Sequence, residues 1–282
     1  MKTVFMFSGQ GAQYAGMGKD LYKNYPVAKE IFDRADNVLG YSIKDICFED
    51  EQKLGETEFA QPAILTMSIA AMKVLEEEGV RADMTAGLSL GEYSAYVASE
   101  AMDFEEAVAL VQKRGKFMAE AVPSGEGAMY AIIGLDTALV EEACAEATAE
   151  GDGLAVPANY NAPGQIVIAG HAQAAKRAAA LAKEKGAKLT VPLKVSGPFH
   201  TELLQPAAEK LGPELDKMHI SPMKMPVYTN VDASKVASEQ DIIPILKKQI
   251  VSPVRWEQII RNMAAEVGGQ AVLGRQATMA TP

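Results

Sequence analysis

The chain has 282 residues, with 27 Lys and Arg against 37 Asp and Glu for a formal net charge of −10, and 48% of it is hydrophobic. That apolar share excludes a disordered or collagen-like chain and suffices for a sizeable core, as one large domain or as a large domain carrying a smaller insert. The acidic balance, with no block of bases interleaved with aromatics, excludes a nucleic-acid partner. The longest nearly apolar run, residues 63–72, contains Thr66 and Ser68 and falls short of the roughly 20 residues a bilayer span needs, so no membrane association is expected. The opening MKTVFMFSGQG is too short in apolar residues for a secretion signal. Cys47 and Cys144 lie far apart without ligand spacing, and His171, His200 and His219 are well separated. Neither a disulfide framework nor a metal centre is expected, and a reducing cytoplasm is the default location.

In chain order, residues 2–7 form a short β-rich apolar run stopped by Ser8 and Gly9, the pattern of a buried strand ending in a tight loop. Helical periodicity follows over 26–38 and 61–77, then a weak strand at 84–87, a helix starting at Leu90 and a helix over 104–121. Short strands alternating with long helices predict a parallel sheet covered by helices. From Gly127 the rhythm changes. A strand at 129–133 is followed by an amphipathic helix over 137–150, strands at 154–159 and 165–169 separated by Asn161, Pro163 and Gly164, an Ala-rich helix over 172–185 and a strand at 188–193. That order, βαββαβ, is the ferredoxin-like arrangement. The expected organisation is therefore a parallel-sheet α/β domain of residues 1–125 and 195–282, into which a ferredoxin-like small domain of residues 126–194 is inserted.

Gly87-Leu88-Ser89-Leu90-Gly91 fits the G-x-S-x-G nucleophile elbow, a strand-to-helix turn that lifts a serine hydroxyl clear of the sheet. At the helix N-terminus the free N–H of Leu90 faces an oxyanion formed by attack of Ser89 on a carbonyl. A serine needs a base, and His200, closing the loop Ser196-Gly197-Pro198-Phe199, is placed to return beside the elbow; capping of the following helix is the alternative. With no acid between Ser89 and His200 in a suitable place, a dyad is expected, the imidazole being oriented by a main-chain carbonyl. The N–H of Gln10, in the loop after the first strand, is a second oxyanion donor; a dinucleotide loop beginning at Gly9-Gln10-Gly11 is the rival reading, with Tyr14 where a third glycine belongs. Ala107, Val111, Arg114 and Met118 follow one another at spacings of four, three and four, which puts a guanidinium in a core-facing stripe. It meets an internal carboxylate or clamps a substrate carboxylate, for which the planar fork of Arg suits better than Lys.

As a set, FSGQGAQ from Phe7, QPA from Gln61, GLSLGEYSA around Ser89, RGKFM from Arg114, GAM from Gly127, NYNAPGQIVIAG from Asn159, SGPFHT around His200 and SPVRW ending at Trp256 are specific. By them the chain resembles the malonyl-CoA:acyl carrier protein transacylases of fatty acid synthesis and the related acyltransferase domains of polyketide synthases. The resemblance implies an α/β-hydrolase-like large catalytic domain with a ferredoxin-like small one, and it implies that Ser89 is acylated, that His200 is its base with the carbonyl of Gln249 orienting the ring, and that Gln10 and Leu90 supply the oxyanion N–H groups. It further implies that Arg114 holds the malonyl carboxylate and that Met118, Phe199, Asn159 and Asn161 line the substrate site, with Phe199 the malonyl-selecting form. The implied cycle is ping-pong: malonyl-CoA acylates Ser89, and the phosphopantetheine thiol of acyl carrier protein collects the acyl group. No permanently bound cofactor is implied, and a monomer is expected.

Two positions depart from the family. Leu88 stands where His is usual, and the C-terminal GPGKVL segment appears as Gly268-Gly269-Gln270-Ala271-Val272-Leu273, so an altered last strand and helix are expected. Lys113, Lys116, Lys176, Arg177, Lys183, Lys185 and Lys188 are candidates for a basic face toward CoA and an acidic carrier, or form a solvated face balanced by acids such as Glu184. The rivals to malonyl transfer are a discrete polyketide-synthase acyltransferase, a serine hydrolase or thioesterase with the same elbow, and a silent carrier-binding module.

Overall fold

The computed structural model describes residues 2–267. In chain order the elements are β1 (Val4–Phe7), α1 (Lys19–Asn24), α2 (Pro26–Leu39), α3 (Ile43–Glu49), α4 (Glu51–Leu54), α5 (Thr57–Glu77), β2 (Met84–Gly87), α6 (Gly91–Ala98) and α7 (Phe104–Glu120). They continue with β3 (Gly127–Ile133), α8 (Thr137–Ala149), β4 (Ala155–Ala162), β5 (Gln165–His171), α9 (Ala172–Glu184), β6 (Leu189–Pro192), α10 (Gln205–Leu215), β7 (Val227–Tyr228), α11 (Ile242–Gln249) and α12 (Trp256–Glu266). Packing divides the described residues into two compact units: residues 2–116 with Leu211–Thr229 and Ser234–Pro244, and Phe117–Lys210 with Asn230–Ala233 and residues 245–267.

The first unit is built on a parallel sheet of order β1-β2-β7. All four residues of β2 are buried, as a central strand covered on both faces requires. Its register pairs Phe7 with Gly87, so β1 and β2 end level with each other. The loop after β1 and the turn after β2 therefore emerge side by side at the carboxyl edge of the sheet, where open α/β folds carry their sites. Around the sheet, α5 is buried on most of its surface, which accounts for its weak amphipathicity. Gly115 lets α7 approach it closely, because a Cβ there would strike the Thr57 carbonyl and stand 3.0 Å from the Glu58 Cα.

In the second unit β3 to β6 form an antiparallel sheet of order β4-β5-β3-β6, with α8 and α9 completing the βαββαβ sequence. Small side chains let both helices lie close: Ala143, Cys144, Ala147, Ala174, Ala178 and Ala182 are buried with Ile132, Ile166 and Ile168. The hairpin joining β4 to β5 is tighter than the sequence suggests. Asn161, read as part of a loop, belongs to β4, and Ala162 pairs with Gln165 across a two-residue Pro163-Gly164 turn with Gly164 at φ +70°. A register shift between Tyr160 and Ala162 absorbs the extra residue, which a simple alternation pattern does not reveal. Beyond the sheet, Val254 bridges Asn159 in parallel, with its N–H on the Ala158 carbonyl at 2.8 Å. The segment Gly268 to Leu273, expected to be altered, lies outside the described residues.

Candidate active site

The elbow after β2 is fixed by two contacts that only glycine permits. A Cβ on Gly87 would overlap the carbonyl of Gly91, and one on Gly91 would overlap the carbonyl of Phe7. Between them Ser89 takes φ +54°, a left-handed conformation that a non-glycine residue adopts at a cost of order 1–3 kcal/mol. Helix α6 starts at once: the N–H groups of Gly91, Glu92 and Tyr93 donate to the carbonyls of Leu88, Ser89 and Leu90. The N–H of Leu90 precedes these and has no helical acceptor behind it. Across the sheet edge, the Leu88 N–H donates to the Phe7 carbonyl at 3.0 Å. A Cβ on Gly9 would stand 2.5 Å from the Leu88 carbonyl oxygen and 2.9 Å from its Cδ2, so the main chain around Gln10 is held against the elbow. The Gln10 side chain is tied back to the Thr57 hydroxyl at 3.1 Å. Leu88, half-buried, thus presents packing surface to this loop.

Arg114 is fully buried on α7. Its Nη1 donates to Gln61 Oε1 at 2.9 Å and its Nη2 to Ser89 Oγ at 3.3 Å, and the guanidinium lies over the Tyr93 ring, 5.2 Å from the centroid. These partners are neutral. Burial lowers the Arg114 pKa, and Tyr93 and the buried Glu92 act against that shift. Burial likewise pushes the Tyr93 hydroxyl up to about 12, so it stays protonated. The arrangement is an arginine fork, held in place by an amide and an aromatic face, beside a serine hydroxyl. Gln61, which directs the fork, stands in the QPA motif, and its role follows only from the packing of α5 against α7.

In the second unit His200 also takes a left-handed backbone, φ +60°, and is buried. Its Nδ1 lies 3.1 Å from the carbonyl oxygens of both Gln249 and Ser252. Two acceptors require Nδ1 to carry the proton, which in the neutral ring puts the lone pair on Nε2. Gln249 is the last residue of α11, where helical carbonyls lack internal donors and the helix dipole favours a cation, so the same anchor steadies an imidazolium. The Ser252 carbonyl is not legible in the sequence, because a backbone acceptor leaves no trace in side-chain identity. Thr201 caps the following 3-10 turn, accepting the Leu203 N–H at 3.3 Å, so His200 is not needed as the cap.

Met118 and Phe199 are both buried, and a Cβ on Gly197 would touch the Phe199 ring at 3.5 Å and the Met118 carbonyl at 3.8 Å. Asn159 and Asn161 lie on β4, and the side-chain oxygen of each is buried without a hydrogen-bond partner among the described residues. An unpaired buried acceptor costs about 1–3 kcal/mol and is a ready partner for an incoming donor. The other histidines do other work: His171 accepts the Leu154 N–H at Nδ1 at 2.9 Å, and His219 is exposed. Three of the seven basic candidates are neutralised by acids. Arg177 pairs with Glu150 and Glu184, Lys185 with Glu142 and Glu146, and Lys113 with Glu214. Among the described residues no group of three or more His, Cys, Asp or Glu could hold a metal, and no helix is long and apolar enough to cross a membrane.

A serine at a strained elbow with an arginine fork on its hydroxyl, on an α/β scaffold, has the form of an acyl-transferring site. The family model described as acyl transferase domain matches residues 4–274. The malonyl CoA-acyl carrier protein transacylase of Bacillus subtilis is 50% identical over 266 residues, 94% of this chain and 84% of that protein. The crystal structure of MCAT from Streptococcus pneumoniae superposes with a TM-score of 0.89 at 49% identity, covering 95% of this chain and 86% of that one. A type II PKS acyl-carrier protein in complex with its malonyl-transacylase matches at a TM-score of 0.91 and 40% identity, over 95% of this chain and 87% of that one. The chain belongs to the malonyl CoA-acyl carrier protein transacylase family.

Proposed function

We propose that this chain transfers the malonyl group of malonyl-CoA to the phosphopantetheine thiol of an acyl carrier protein, supplying extender units for fatty acid synthesis. Ser89 Oγ attacks the thioester carbonyl while Nε2 of His200 takes its proton, and the N–H groups of Leu90 and Gln10 hold the tetrahedral oxyanion. Collapse breaks the C–S bond, and the departing CoA sulfur takes the proton from His200. The carrier thiol then reverses these steps on malonyl-Ser89. Malonyl-CoA is a substrate and phosphopantetheine arrives on the carrier, so no resident cofactor takes part. The free malonyl carboxylate engages Arg114, and Met118 and Phe199 bound the acyl chain. Asn159 and Asn161 accept hydrogen bonds from substrate donors. The acting species is a single chain in the reducing cytoplasm, in keeping with the unpaired thiols Cys47 and Cys144. The 126–194 segment serves as the small domain.

The observation that carries this reading is the buried Arg114 fork at hydrogen-bond distance from the Ser89 hydroxyl. A fixed cation beside the nucleophile selects an acyl group with its own carboxylate, which a general esterase does not require. Family membership supports the choice of donor and acceptor. Intact-mass measurement after mixing with malonyl-CoA tests the proposal. The parent gains one malonyl group, Ser89→Ala gains none, and adding phosphopantetheinylated carrier protein removes the label to the carrier. A label that survives in Ser89→Ala overturns the reading, as does one that is lost to water at the same rate without the carrier.

A further inference from the structure

The two carbonyls on His200 Nδ1 belong to the turn after α11, where the Ser252 N–H donates to the Gln249 carbonyl at 3.2 Å. The Ser252 carbonyl is part of the peptide that runs into Pro253, whose ring fixes φ at about −65°. Few free rotations therefore separate this acceptor from Val254 and Arg255, and both of those residues are held. Val254 is fully buried and bonded twice to β4: its N–H donates to the Ala158 carbonyl and its carbonyl accepts the Tyr160 N–H, each at 2.8 Å. Arg255 donates from its main-chain N–H to the Asn230 carbonyl at 3.1 Å and from Nε to the Val231 carbonyl at 3.1 Å. Its guanidinium lies over the Tyr160 ring, 5.9 Å from the centroid, and the Tyr160 hydroxyl is fixed in turn on Glu141 Oε1 at 2.9 Å. The 230–233 turn that receives Arg255 is braced by Asn262, whose Nδ2 donates to the Ala233 carbonyl at 2.8 Å. One exposed side chain thus clips β4, the 230–233 turn and the stretch after Ser252 together.

We propose that Arg255 is a positioning residue: by clipping the chain after Ser252 to Val231 and Tyr160, it keeps the Ser252 carbonyl on Nδ1 of His200, and with it the tautomer that leaves Nε2 unprotonated. This rests on the reading of His200 as the base. A guanidinium suits the task because its Nε donates in the plane of the fork while the flat face covers an aromatic ring, which an ammonium cannot do at once. Without the clip the Ser252 carbonyl drifts, and the preference for a proton on Nδ1, set by the hydrogen bonds that nitrogen makes, weakens.

Arg255→Met, which keeps an apolar stem over Tyr160, and Arg255→Lys, which keeps the charge, test the idea. With malonyl-CoA and carrier protein, kcat is expected to fall about three- to tenfold in both, the order of effect of one lost hydrogen bond, while KM for malonyl-CoA stays at the parent value. Nitrogen-15 NMR of histidine-labelled protein reads the tautomer. The parent carries the His200 proton on Nδ1, and in both variants a share of it moves to Nε2. In a His200→Ala background Arg255→Met has no further effect on transfer, since the group it acts through is gone. A raised KM with unchanged kcat, repaired by Lys, makes Arg255 a contact for an anionic substrate and overturns the inference. Lower stability with an unchanged tautomer, the mark of a merely structural role, overturns it too. Should Arg255→Met fail to fold, Arg255→Lys decides by the same two readings. If His200→Ala transfers like the parent, the base reading itself fails; if it loses transfer while both Arg255 variants keep the parent kcat and tautomer, only the role of Arg255 falls.

Discussion

Arg114 Nη2 and Ser89 Oγ are 3.3 Å apart, a buried guanidinium donating to the hydroxyl at the tip of the elbow. Before an acyl group arrives, this bond helps satisfy both groups in a dry site. In the proposed cycle, acylation makes the Ser89 oxygen a poor acceptor and releases the fork toward the carboxylate of the acyl chain.

Replacing Arg114 by Ala is therefore expected to lower kcat/KM for malonyl-CoA by about 10- to 100-fold or more, the range for losing one or more charged hydrogen bonds of about 1.5–3 kcal/mol each. Acetyl-CoA, without a carboxylate, loses far less. Competition between the two thioesters, read by intact mass at Ser89, measures the change in preference.

If His200 is the base proposed above, His200→Ala, which leaves the elbow glycines in place, is expected to lower transfer by about 10²–10⁴-fold. Malonyl-CoA still binds. A thermal-shift titration that shows the parent response to malonyl-CoA, with transfer lost, is the expected pair of results.

Gly87→Ala and Gly91→Ala place a methyl group on a main-chain carbonyl, which neither strand nor helix can yield. Each is expected to cost several kcal/mol, within the large-effect class of backbone strain and overpacking. Urea denaturation followed by circular dichroism reads the fall in midpoint.

Glu214 accepts from Lys113 at 2.6 Å and Lys217 at 2.7 Å, and those two cations lower its pKa to about 2. A carboxyl whose folded pKa is depressed adds stability above its unfolded value, and that stability is lost as pH falls toward the folded pKa. The Tm advantage of the parent over Glu214→Gln should accordingly be present at pH 7, shrink from about pH 4.5 downward as an ordinary carboxyl titrates, and disappear as pH falls through about 2. The pair is solvent-exposed, so 1 M salt should also reduce it.

Burial raises the thiols of Cys47 and Cys144 to about 12. Since the thiolate is the reactive form, neither labels quickly with iodoacetamide in the native protein at pH 8, and both label in denaturant. Rapid native labelling of either would show that its segment opens readily.

The elbow was legible because its constraints are local: two glycines bracket a serine after a short buried strand, and the spacing alone announces a turn. Arg114 could be read too, since a charge in an otherwise apolar stripe contradicts its neighbours. Its partners could not. Gln61 becomes a hydrogen-bond acceptor only when Gly115 lets α7 close on α5. Short or long-range elements escaped for related reasons. The two-residue β7 is a strand only through its pairing with β2, and the β4 bulge that takes in Asn161 depends on β5. The basic residues of α9 read as an open face because the acids that neutralise Arg177 and Lys185 come mostly from α8 and the residue after it.

The imidazole of His200 is anchored by peptide oxygens, and this shapes how the protein can drift. A triad acid can be lost through one codon, whereas the carbonyls at 249 and 252 survive any side-chain exchange that keeps the local trace. The proton on Nδ1 is secured by the path of the chain at the end of α11. Inheritance can disturb it only by rerouting that path, through a proline, an insertion or the loss of a side chain that pins it, and such a change would silence the base while every familiar catalytic letter still stood in the sequence.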